Sequence, residues 1–132
     1  MRVPDRELFF LHLIAHQYKE CCLLFMVERS KDLDLYKLAD IYYLFKADIL
    51  DLAYLESLIE KYSLQQKVGT VMKQVGEVFM DDEIMRYANQ FNSTVPIIID
   101  YKNKKNYEWN GNTFQRLCVL ESKKYLKEVE HD

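Results

Sequence analysis

The chain has 132 residues, 49% of them hydrophobic and 30% charged, with a formal net charge of −3. That length supports one compact core, and that balance excludes both an intrinsically disordered chain and a strongly basic nucleic-acid module. Three glycines and two prolines stand where average usage of ~7% and ~5% would supply roughly 16 residues, which argues against a many-stranded β fold.

Pro4 and Asp5 mark a helix start. Apolar residues then recur almost without interruption from Leu8 to Val27, so the spacing predicts a first helix buried on more than one side. The polar run Glu28 to Asp32 ends it. Asp32 or Asp34 is placed to cap a second helix, with Leu35, Leu38, Ala39, Ile41, Tyr42 and Phe45 at three- and four-residue spacing. Asp48 or Asp51 begins a third, whose Leu52, Leu55, Leu58 and Ile59 share a face and which ends near Tyr62. Ser63 is expected to cap a fourth, with Val68, Val71, Met72, Val75 and Phe79 turned inward. Gly69 and Gly76 lie on nearly one face of that helix. Each costs roughly 1 kcal/mol relative to Ala, a cost that close approach of a neighbouring helix would offset. A short fifth helix runs from Asp81 or Asp82 to about Phe91.

Beyond Asn92 the character changes. Pro96 to Tyr101 is short and β-branched, residues 103–106 are turn-like, and Tyr107-Glu108-Trp109 can return as a strand, so 96–109 reads as a β-hairpin or an irregular arm. Thr113 can cap a C-terminal helix through Leu126, followed by a charged end that frays. The predicted architecture is mainly α. A helical bundle of about five helices fills 1–91, the arm and last helix fill 92–132, and the whole forms a single domain.

Leu8 to Tyr18 is the longest stretch without a formally charged side chain and contains His12, His16 and Gln17, so it falls short of the ~18 to 20 apolar residues that cross a bilayer. No membrane partner is expected. Met1 to Asp5 carries an acid at its end, which does not suit the start of a secretory signal, and Cys21, Cys22 and Cys118 form no C-x-x-C pair. Reduced thiols in a cytoplasmic protein are the expectation.

No self-sufficient catalytic motif is present. His12 and His16 share a helix face at the i, i+4 spacing used by metal ligands, but Leu13 stands where the metallopeptidase pattern needs Glu. Histidines bonded to a neighbouring helix or partner are the simpler reading, with no metal expected. Arg6 and His12 fit the loose R-x4-6-H spacing of helical HEPN-type ribonucleases, which gives one alternative function. Asp32-Leu33-Asp34-Leu35 matches the alternating acids that hold Mg²⁺ in nucleotidyltransferases. That chemistry also needs an upstream Gly-Ser turn, and no glycine precedes Gly69, so helix capping explains the acids better. Lys102, Lys104 and Lys105 with Tyr101, Tyr107 and Trp109 make a local basic and aromatic patch. A solvated hairpin tip accounts for it, and nucleic acid is not the expected partner.

Four segments carry a wider pattern. They are Leu8-Phe9-Phe10-Leu11-His12-Leu13-Ile14-Ala15-His16, Leu38-Ala39-Asp40-Ile41-Tyr42-Tyr43-Leu44-Phe45, Asp51-Leu52, and Tyr62-Ser63-Leu64-Gln65-Gln66-Lys67-Val68. Together they make Leu8 to Met80 resemble the helical region that follows the catalytic domain in the uncharacterised nucleotidyltransferase family of the DNA polymerase β superfamily. The second segment is also similar to the abortive-infection type nucleotidyltransferase toxins, in which a basic-acidic pair precedes the helix Asp. Tyr36 and Lys37 occupy those two places here, so Asp40 alone matches.

The resemblance implies a region that packs beside a nucleotide site and helps position substrate. His12, His16, Arg29, Lys31 and Asp40 are then the candidates that face substrate or partner. The Gly-Ser turn with paired acids is missing, so the resemblance implies a separated C-terminal part or a naturally truncated relative, inactive alone and docking on a catalytic domain. Mg²⁺ and a nucleoside triphosphate are expected only where such a domain is supplied, and no cofactor is expected in this chain. The other alternative is a small interaction protein, dimeric or bound to another chain, that uses its ten tyrosines as contact surface.

Overall fold

The computed structural model describes residues 5–22, 35–109 and 125–129. Five helices come first: α1 (Arg6–Cys21), α2 (Leu35–Lys46), α3 (Leu52–Lys61), α4 (Gln65–Val78) and α5 (Asp82–Asn89). Three strands follow, β1 (Ile98–Asp100), β2 (Lys105–Trp109) and β3 (Leu126–Val129), in one antiparallel sheet of order β1-β2-β3. The molecule is mainly helical with a small sheet, as the periodicity predicts.

α4 is the central helix. It packs on α1, α2 and α3 and most extensively on α5, and Val68, Thr70, Val71, Met72, Gln74 and Val75 bury it nearly all round. The two glycines explain how. A Cβ at Gly76 would lie 2.6 Å from Met85 Sδ on α5, and one at Gly69 would lie 2.8 Å from Ser93 Cβ and 3.1 Å from Phe91 Cβ. The expected helix–helix approach is therefore made at Gly76, whereas Gly69 admits the segment that leaves α5. Around α4, Phe10, Ile14, Leu38, Ile41, Leu55, Ile59, Ile84 and Ala88 complete the core. Aromatic rings link its layers: Phe10 lies 6.2 Å from Phe45, Phe45 lies 5.0 Å from Tyr87, and Tyr87 lies 5.3 Å from Phe91.

α1 differs from the expectation of burial on several sides. One stripe, Glu7, Phe10, Leu11, Ile14, Gln17 and Cys21, faces inward, while Leu8 and Phe9 remain 45% and 52% exposed. A surface helix needs only that single stripe, and α4 takes the central place instead.

Acidic caps start the helices where the sequence places them. Asp5 accepts from the backbone of Glu7 and Leu8, Asp51 from Tyr54, and Asp81 from Ile84. The expected caps at Asp32 and Asp34 lie outside the described residues. Ser63 is not the cap of α4; that place belongs to Leu64, which offers no side-chain bond. Ser63 instead takes a left-handed conformation, φ 54°, just past the end of α3. Its N–H reaches Glu60 O and the next N–H, from Leu64, reaches Ile59 O, which is the Schellman arrangement. Met80, φ 52°, ends α4 the same way, with Met80 N–H on Glu77 O and Asp81 N–H on Gly76 O.

The starts of α1 and α3 are fastened to each other. Glu7 Oε1 accepts from the backbone N–H of Asp51 at 2.8 Å, and the Tyr54 hydroxyl donates to Asp5 Oδ2 at 2.6 Å. That hydroxyl is the main cause holding the Asp5 carboxyl below its ordinary 3.8, and Asp5 in turn pushes Tyr54 above 10.0. Lys46 of α2 reaches Asp81 at 3.1 Å and Glu83 at 3.3 Å, tying the end of α2 to the start of α5.

The sheet gathers a second, small cluster of Ile98 with Tyr107, Trp109 and Leu126. β1 is shorter than the β-branched run suggests, because Pro96 has no N–H to give a ladder and pairing starts at Ile98. The turn falls at 101–104. Asp100 organises it by accepting from Lys102 N, Asn103 N and Asn103 Nδ2. Of the predicted C-terminal helix, Thr113 through Leu126, residues 113–124 lie outside the described residues. Leu126 and the first part of the charged end expected to fray form a strand instead: Leu126 pairs with Trp109 and Val129 with Asn106. Lys127 and Glu128 between them are exposed, as suits an edge strand.

Two outcomes follow from this packing. Gly69→Ala gains ~1 kcal/mol of helix propensity but drives a Cβ against Ser93 Cβ, which has no freedom to swing aside, so urea unfolding is expected to show a net loss of about 1 to 2 kcal/mol. Adding Ser93→Gly should restore most of the loss; a single variant more stable than the parent would mean that the contact is not tight. Tyr54→Phe should let Asp5 titrate nearer 3.8, as read by carboxyl NMR. A lowered carboxyl pKa stabilises above 3.8, and its contribution disappears as pH falls through the folded value. In the variant that contribution is smaller, and its loss, which starts from the same unfolded value, is complete at higher pH.

Candidate functional site

An open groove of about 580 Å³ runs along α1, lined by His12, Ala15, His16, Tyr18, Lys19, Cys22, Lys67 and Tyr101. Three elements build it. Helical spacing brings His12, Ala15, His16 and Lys19 to one side of α1, Lys67 stands in the first turn of α4, and Tyr101 opens the β1–β2 turn.

Two sets of hydrogen bonds hold these elements in register. The backbone N–H of Ile99 donates to Cys22 O at 2.7 Å, which fastens β1 to the end of α1. Gln66 binds the backbone of Thr94 on both sides: its Nε2 donates to Thr94 O at 2.7 Å, and its Oε1 accepts from Thr94 N at 2.8 Å. A side-chain amide here imitates one rung of a β-ladder and pins the extended segment that leads to β1. Gln66 Nε2 also donates to Thr70 Oγ1 at 3.2 Å.

The lining is basic and aromatic, and among the described residues no carboxylate belongs to it. Glu20 lies close by but is engaged: Oε1 is 3.1 Å from His16 Nε2, and Oε2 accepts from Lys37 of α2. His16 is thus oriented by Glu20, while its side chain remains 54% exposed. Burial raises the Tyr18 hydroxyl above its ordinary 10.0, against an opposing hydrogen bond from Gln66, with the Cys22 thiol adding to the rise. Tyr18 therefore stays protonated at physiological pH. Cys21 is buried and points its thiol at Tyr18 O, 3.1 Å away, and both Cys21 and Cys22 are reduced.

The candidates chosen from sequence divide into separate places. His12 and His16 share the groove. Asp40 is exposed on the outer side of α2 with Tyr36 and Tyr43, and it is not part of the groove. Arg29 and Lys31 lie outside the described residues. Arg6 is exposed and does not line the groove with His12. The expected basic and aromatic patch on the arm also divides: Lys102, Lys104 and Lys105 are exposed at the hairpin, Tyr107 and Trp109 pack on Ile98, and Tyr101 joins the groove. Among the described residues no group of three His, Cys, Asp or Glu side chains is placed to hold a metal ion, and no helix is long and apolar enough to cross a membrane. Comparison with protein-family models, with curated proteins and with solved structures returns no match.

Lys19, Tyr18 and Lys67 were missed by sequence reasoning, and Tyr101 was assigned to the patch on the arm. Lys19 completes an i, i+4, i+7 polar row with His12 and His16, a signal present in the sequence. Lys67 and Tyr101 arrive through tertiary contacts that no local pattern carries.

The Gln66 clamp gives a direct test of how the groove is built. Gln66→Ala removes both bonds to Thr94, each worth ~1 kcal/mol. Amide hydrogen exchange at Ile99 is expected to quicken by about tenfold or more, while the core of α4 exchanges as before. Unchanged exchange at Ile99 would show that β1 is held without the clamp.

Proposed function

We propose that this chain is a helical accessory domain of a nucleotidyltransferase-like protein, performing no transfer by itself and docking against a catalytic domain. The observation that carries this reading is the outer face of α2. Tyr36, Asp40 and Tyr43 follow one another at i, i+4 and i+7, and the two tyrosines are 83% and 67% exposed. Tyr43 is braced rather than loose: its ring lies 5.5 Å from Tyr42 in an edge-on contact, and Tyr42 stacks on Phe79 at 4.4 Å. An exposed carboxylate flanked by two rings on a rigid helix suits a basic side chain of a partner, arginine above all. Asp40, the residue that matches the family motif, sits at its centre.

In this role the Mg²⁺ and nucleoside triphosphate come with the catalytic domain, and the chain supplies contact surface. The reduced Cys21 and Cys22 fit a cytoplasmic setting. A second copy of the chain is the competing occupant of the α2 face, and sedimentation of the pure protein separates the two.

The test mixes the pure chain with a catalytic domain of this family encoded in an upstream or adjacent reading frame. A complex should form, and Asp40→Ala with Tyr43→Ala should weaken it by about tenfold or more without altering the unfolding transition. Nucleotidyl transfer by the pure chain, abolished by Asp32→Ala with Asp34→Ala, would overturn the reading, as would the absence of any complex.

A further inference from the structure

We infer that the groove along α1 is a binding site in its own right, for a small phosphorylated ligand that carries a planar ring. It lies apart from the α2 face, so this inference and the docking reading can fail separately.

Charge comes first. Lys19 from α1 and Lys67 from α4 line one groove with His12 and His16, and among the described lining residues there is no acid. Glu20, on the same helix, is turned to Lys37 and His16. In a chain whose formal net charge is −3, such a concentration of basic groups without acids runs against the overall composition. Two ammonium groups carried by different helices match a dianion, such as a phosphomonoester, better than a single carboxylate.

Shape comes second. A groove of about 580 Å³ is of the size that holds one small ligand. Tyr18 and Tyr101 stand in its lining on different elements, so a planar ring can pack against a tyrosine face while its phosphate meets the lysines. Preorganisation comes third: the Ile99–Cys22 and Gln66–Thr94 bonds fix Tyr101 and Lys67 relative to α1 before any ligand arrives.

The experiment is isothermal titration of the whole chain with AMP, adenosine, phenyl phosphate and inorganic phosphate. AMP is expected to bind saturably and about tenfold or more tighter than adenosine. Lys19→Gln with Lys67→Gln should weaken AMP by about tenfold or more at an unchanged unfolding transition. Tyr101→Ala should weaken AMP several-fold and leave inorganic phosphate unaffected. Phenyl phosphate binding as tightly as AMP supports a site that takes any ring, and AMP binding far tighter supports one that reads the base. Absence of saturable binding by either ester, or AMP binding indifferent to the two lysines, overturns the inference. Asp40→Ala should leave AMP binding intact, which keeps this result distinct from loss of docking.

Discussion

Gly69 has no Cβ, and the course of the chain after α5 depends on that. Any side chain there would meet Ser93 and Phe91 within about contact distance, so only glycine lets this segment lie directly on the central helix. Once it lies there, Gln66, one turn earlier on the same helix, is in reach of Thr94 and takes its backbone on both sides. Five residues further on, Ile99 meets the end of α1 through Cys22 O. The hairpin therefore stands against α1, and Tyr101 closes a groove that α1 and α4 would otherwise leave open. One missing methyl group decides whether that groove has a third wall.

The same economy of glycine shapes the helix connections. Asp48, Ser63 and Met80 adopt left-handed backbone at φ 57°, 54° and 52°, a conformation that costs a non-glycine residue roughly 1 to 2 kcal/mol. At Ser63 and Met80 the cost is offset by a pair of backbone bonds that satisfy the last carbonyls of α3 and α4. Each turn delivers the chain into the next helix within a few residues, which is how five helices fit so short a chain. α1 and α3 start side by side, and there Glu7 and Asp5 satisfy the backbone N–H of Asp51 and the hydroxyl of Tyr54, groups that water would otherwise have to serve.

Legibility in the sequence followed the range of the interactions. Helices α1 to α5 were readable because their stripes repeat every three or four residues, and Asp5, Asp51 and Asp81 announced three starts. Ser63 misled because a serine before a helix has two local uses, capping and turning, and only the path of the chain chooses between them. β3 was hidden because four residues with charges at Lys127 and Glu128 carry no strand period; pairing with β2 is what makes them a strand. The candidate site was half readable. His12 and His16 belong to one helix and their spacing is local. Asp40 was grouped with them by resemblance to a family, but it stands on a different surface from the groove. Lys67 and Tyr101 are brought in by Gly69, Gln66 and Cys22, that is, by contacts between residues far apart in the chain.

The ten tyrosines show the same division of labour. A tyrosine is a large apolar ring with a polar tip, so it can stand at the edge of a core or on a surface where phenylalanine would promote aggregation. Tyr42 packs its ring on Phe79 and leaves its edge to Tyr43. Tyr54 uses its hydroxyl to hold Asp5, and Tyr18 lines the groove. Tyr36 and Tyr43 present rings to solvent from a helix too well packed to let them collapse. Tyr87 is the exception that defines the rule. Its ring is held between Phe45 and Phe91, its hydroxyl has no hydrogen-bond partner among the described residues, and burial, with Glu56 adding to it, raises its pKa far above the ordinary 10.0. A phenylalanine would satisfy the core at that position equally well. At the outer positions it would not, because there the hydroxyl is what lets a ring remain exposed and ready for contact. Half of the tyrosines, Tyr36, Tyr43, Tyr54, Tyr62 and Tyr101, are therefore surface rings, and the α2 face and the groove along α1 each take two of the ten, Tyr36 with Tyr43 and Tyr18 with Tyr101.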